Sequence, residues 1–107
     1  MLTQFFLLYT EMKDMVTVRG YLFELNKEQI RTLGLILGLH NITLSNTYEG
    51  CSKINYLDDV LTAWFRKQDD VEKKGVPSWA TLATALEDQQ LRQNGIANEI
   101  RKERLGQ

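Results

Sequence analysis

The sequence predicts an all-α fold, a bundle of six helical segments preceded by an apolar extension. Apolar residues recur at helical spacing in segment after segment, and no run shows the apolar–polar alternation of a half-buried strand. Short breaks separate the periodic segments, and the only proline, Pro77, falls in one of them.

The first pattern is Leu2, Phe5, Phe6, Tyr9 and Met12, which makes residues 1–15 an amphipathic N-terminal extension. Val18, Leu22 and Leu25 mark a short helix that stops near Asn26. Asn26 has the form of an N-cap with Gln29 as its capping-box partner, and Ile30, Leu33 and Leu37 carry the next helix to Gly38. Residues 41–49 mix Asn, Thr and Ser with Ile42 and Leu44, enough for one short, weak helix. Over 54–70 the pattern is strongest: Leu57, Val60, Leu61, Trp64 and Gln68 share one side, with Asp59, Thr62, Arg66 and Asp70 opposite. A charged loop, DDVEKKGVP, then leads to Ser78, which can cap a helix whose inner face is Trp79, Leu82, Ala83 and Leu86. The last helix, 92–105, turns Ile96, Ala97 and Ile100 inward and ends in RKER.

A chain of 107 residues is long enough for one core and too short for two, so residues 16–107 are read as a single bundle. Apolar residues at 43 % and charged residues at 25 % are ordinary for a folded soluble domain. Thirteen basic against fourteen acidic side chains leave a formal charge of −1, so no net field draws the chain to nucleic acid or anionic lipid. One cysteine, Cys51, excludes an internal disulfide, and the opening stretch lacks the basic start and cleavage site of a signal peptide. The expectation is a soluble, cytoplasmic protein without a membrane span.

The order of motifs is more specific than any one of them. EQIRTLGLILGL holds Leu33-Gly34 and Leu37-Gly38-Leu39. LDDVLTAWF holds Leu61 and Trp64, and PSWATLATAL holds Ser78, Trp79, Leu82, Ala85 and Leu86. An Ile-Ala-x-x-Ile helix, Ile96, Ala97 and Ile100, follows. In this order residues 17–105 resemble a death domain. Two positions differ: Ile30 stands where that family commonly has tryptophan, and the third-helix apolar position falls near Thr47. The resemblance implies a six-helix antiparallel Greek-key bundle without catalysis or cofactor. It also implies homotypic association with other death domains, as adaptor or receptor, in cell-death or innate-immune signalling. The rival readings are another helical death-fold or dimerisation domain, and a small helical nucleic-acid-binding domain that uses RKER and Lys73-Lys74.

Catalytic and metal chemistry find little support. His40 and Cys51 lack a third orienting group in the sequence and supply too few metal ligands, and His40 is expected beside the terminal carbonyls of a helix. Gly34 and Gly38 follow no strand, so they suit close packing and a helix stop rather than a phosphate cradle. Trp64 and Trp79 are expected in one core with Leu33, Leu37, Leu61, Leu82, Leu86 and Ile100. The candidate binding residues are Asp59, Arg66, Lys67, Asp69, Asp70, Glu72, Lys73 and Lys74. They form either a solvated face with an Arg66–Asp70 pair or an interface that registers one subunit on the next. Phe5, Phe6 and Tyr9 either cover the bundle or present an apolar stripe to a partner.

Overall fold

The computed structural model describes residues 15–107, so the expectations for Leu2, Phe5, Phe6, Tyr9 and Met12 lie outside the described residues. Seven helices and no strand occur among those residues: α1 (Met15–Leu22), α2 (Lys27–Ile36), α3 (Asn41–Asn46), α4 (Lys53–Phe65), α5 (Val71–Lys74), α6 (Trp79–Leu86) and α7 (Asn94–Arg104). None of them is long and apolar enough to cross a membrane.

The caps explain where several helices start. Asn26 accepts from the Gln29 backbone N–H at 2.8 Å, and the Asn26 N–H donates to the Gln29 side chain at 2.9 Å, which closes the capping box ahead of α2. Ser52 accepts from Asn55 N–H at 3.2 Å and Ser78 from Thr81 N–H at 3.2 Å, opening α4 and α6.

One core joins the helices. Leu33, Leu37, Leu61, Trp64, Trp79, Leu82, Leu86 and Ile100 are all buried in it, with Val18 and Leu22 of α1 and Leu44 of α3. Helix α6 packs along α7, α2 lies against α4 and α6, and α1 bridges α4 and α7. A partly buried ion pair, Arg19 with Asp58 at 2.9 Å, ties α1 to α4. Gly34 lets α2 and α3 close on each other: a Cβ there would stand 2.6 Å from Cδ2 of Leu44. Leu44 thus supplies the α3 anchor, while Thr47 lies exposed just beyond the helix.

The expected helix over 54–70 ends early, at Phe65. Lys67 takes φ +58°, its N–H bonds Trp64 O at 2.9 Å, and Gln68 N–H bonds Ala63 O at 3.1 Å, the left-handed stop more often built on glycine. Gln68 is accordingly exposed rather than inward-facing. The expected charged loop at 69–74 also differs. Val71 is fully buried and starts the one-turn helix α5, because an apolar anchor pulls the chain back onto the core directly after the turn.

Candidate functional site

Around the end of α4 the chain forms a charged corner, stitched to the α2–α3 turn by main chain and side chains alike. Gly38 ends α2 at φ +108°, and its carbonyl accepts from Asp70 N–H at 3.0 Å. Only glycine permits this approach, since a Cβ would stand 2.7 Å from the Asp70 carbonyl oxygen.

Asp69, itself at φ +54°, turns its carboxylate towards α3. It accepts from His40 N–H at 2.8 Å and from Thr43 Oγ1 at 2.7 Å, which hold its carboxyl below the usual carboxylate range. Asp70 Oδ2 lies 2.9 Å from His40 Nε2, and Asp70 Oδ1 lies 3.4 Å from Lys73 Nζ. The hydrogen bond to Asp70, with Asp69 close by, raises the imidazole pKa and lowers that of Asp70.

These contacts correct three expectations. His40 occupies the N-cap position of α3 and pairs with carboxylates rather than helix-terminal carbonyls. Asp70 is committed to His40 and Lys73, so the Arg66–Asp70 pair does not form, and the end of α4 at Phe65 removes the helical register that would have aligned it. Asp69 and Asp70 brace the corner instead of pointing away from it.

The remaining candidates stand outward. Asp59, Arg66, Lys67, Glu72 and Lys74 are exposed, and their side chains make no hydrogen bond or ion pair among the described residues. Asp59 and Arg66 flank a groove of about 230 Å³ between α3 and α4, lined also by Thr43, Leu44 and Thr62. The corner therefore presents mixed, uncommitted charge beside a hydrogen-bonded junction between the α2–α3 turn and the end of α4.

Sequence reasoning missed His40 as the partner of both aspartates. A second clasp was also missed: Lys27 Nζ donates to Cys51 O at 2.8 Å and to Tyr48 O, and sits 4.4 Å from the Tyr48 ring centre. Tyr56 donates to Leu44 O at 2.9 Å, and burial pushes its hydroxyl pKa up to about 12. His40 and Cys51 thus belong to separate polar clusters, and no group of three metal-capable side chains occurs among the described residues. Comparison with known protein families, curated proteins and solved structures finds no match to this chain.

Proposed function

We propose that this chain is a non-catalytic protein-interaction module of the death-domain kind, acting in the cytoplasm in cell-death or innate-immune signalling. In this reading its helices follow the six-helix antiparallel Greek-key order, with α5 a short addition between the fourth and fifth. Its ligand is another death domain, either a second copy or an adaptor or receptor, and it needs no substrate or cofactor.

The observation that carries the proposal is the contrast within the charged corner. Asp69 and Asp70 spend their charge on holding the corner to α3, whereas Asp59, Arg66, Lys67, Glu72 and Lys74 are left facing solvent beside that junction. Charges held in fixed positions set the register between subunits and repel wrong partners. The order of motifs from Leu33 to Ile100 supports the family reading.

The test is the Arg66→Glu, Lys67→Glu double variant. Both side chains are exposed but directly follow the C-terminus of α4, where the helix dipole disfavours an acid, so stability should fall by no more than about 1 kcal/mol for each substitution. Sedimentation at moderate salt should show loss of self-association or of partner binding. Unchanged assembly in a folded variant overturns the reading.

A further inference from the structure

Gly20 sits inside α1, where glycine weakens a helix by roughly 0.5–1 kcal/mol relative to alanine. Gly34 and Gly38 each face a close neighbour, but a Cβ added at Gly20 would meet nothing within 4 Å. No contact within the described fold therefore requires this glycine. What its missing side chain leaves is a hollow on the α1 surface, in a groove of about 530 Å³ between α1 and α7.

The groove is lined by apolar and acidic side chains together with Thr17. Tyr21, Phe23 and Ile96 line it, and Phe23 is 58 % exposed. Val16, 70 % exposed, lies one helical turn before Gly20 on the same stripe. Tyr21 OH is already taken up by Glu103 and Arg104. Glu24 and Glu99 of the lining are exposed and make no ion pair among the described residues, so they are the groove's uncommitted charges.

The charged corner carries the complement. Lys73 and Lys74 end α5, and the Lys73 side chain is 78 % exposed even with Asp70 beside it. After the Gly75 turn comes Val76, half exposed, its carbonyl held by Thr81 Oγ1 at 2.7 Å. Two lysines beside an exposed apolar side chain are opposite in charge to the two glutamates beside Gly20.

We propose that the α1–α7 groove receives the Lys73–Lys74–Val76 corner of a second copy of this chain. Val76 fills the hollow at Gly20, and the two lysines face Glu24 and Glu99. Because groove and corner are different surfaces, the contact is heterologous, and each copy can give and receive. The inference rests on the self-association proposed above and names the surface that the corner meets.

The experiment is a charge swap in the full chain, read by sedimentation over a concentration series. The Glu24→Lys, Glu99→Lys variant and the Lys73→Glu, Lys74→Glu variant should each lose assembly alone. An equimolar mixture should recover it, because the reversed groove of one then faces the reversed corner of the other. Gly20→Met, which fills the hollow without changing charge, should weaken assembly in a protein that melts no lower than wild type, since α1 gains helix propensity. A wild type that stays monomeric throughout overturns the self-association reading and this contact with it. If wild type assembles and the groove variants assemble equally well, or the mixture fails to recover, this contact alone is overturned.

Discussion

His40 and Asp70 meet across the charged corner, Nε2 to Oδ2 at 2.9 Å, although thirty positions separate them in the chain. Their charges make the corner dependent on pH. The raised His40 pKa means a contribution to stability that is complete below its ordinary 6.5 and is lost as pH rises through the higher folded value. The lowered pKa values of Asp69 and Asp70 act in the opposite sense, contributing above 3.8 and failing as pH falls through the folded values. The latch is therefore strongest between 3.8 and 6.5. The melting difference between wild type and His40→Gln should peak in that window and shrink on both sides. A difference that stays constant from about pH 5 to about pH 9 would remove the imidazolium from the account.

Gly38→Ala should be among the most damaging single-methyl changes. It places a Cβ 2.7 Å from a backbone oxygen and forces alanine to φ +108°. Gly50→Ala makes a control, because Gly50 has φ +74° and open space around it. Denaturant titration should give roughly 1 kcal/mol for the control and clearly more for Gly38→Ala. Equal losses would mean that the corner yields to the methyl group.

Trp64 is 2 % exposed, and its indole N–H finds no acceptor among the described residues. Trp64→Ala should cost ~3–5 kcal/mol through the cavity it leaves. Trp64→Phe keeps much of the ring and drops the unpaired donor, so its cost should stay below about half of that figure. Calorimetry on both variants checks the ratio, and a phenylalanine variant as unstable as the alanine one would mean that the N–H is satisfied after all.

Gly20→Ala should stabilise the monomer by up to about 1 kcal/mol, since α1 gains helix propensity and the new methyl group touches nothing. A loss of stability in thermal melts would show that the glycine serves the fold itself.

The inward positions were legible because apolar spacing and capping residues act locally. Asn26 with Gln29, Ser78 ahead of Trp79, and Gly38 at the end of α2 each signal a boundary within a few residues of it. The end of α4 was not legible. A lysine at φ +58° is a stop that residue type does not announce, and the amphipathic pattern runs on through Gln68 and Asp70 as though the helix continued. Val71 looked like one apolar residue in a charged run, and only the closed fold shows it to be the anchor of α5. For the site, exposure of Asp59 and Arg66 followed from helical angle. The engagement of Asp69 and Asp70 with His40 and Thr43 did not, because a pairing across about thirty residues leaves no mark on local spacing.

The Gly38–Asp70 hydrogen bond also bears on the order in which the molecule assembles. Each capped helix can begin to form from neighbouring residues, whereas this bond must wait until the chain between α2 and α5 has been drawn into a loop. A contact made late leaves the folding rate untouched and is broken early when the protein opens. Weakening the corner at His40 should accordingly speed unfolding while refolding keeps its wild-type rate. Stopped-flow unfolding and refolding of His40→Gln checks this, and a slowed refolding limb would place the corner among the contacts made early.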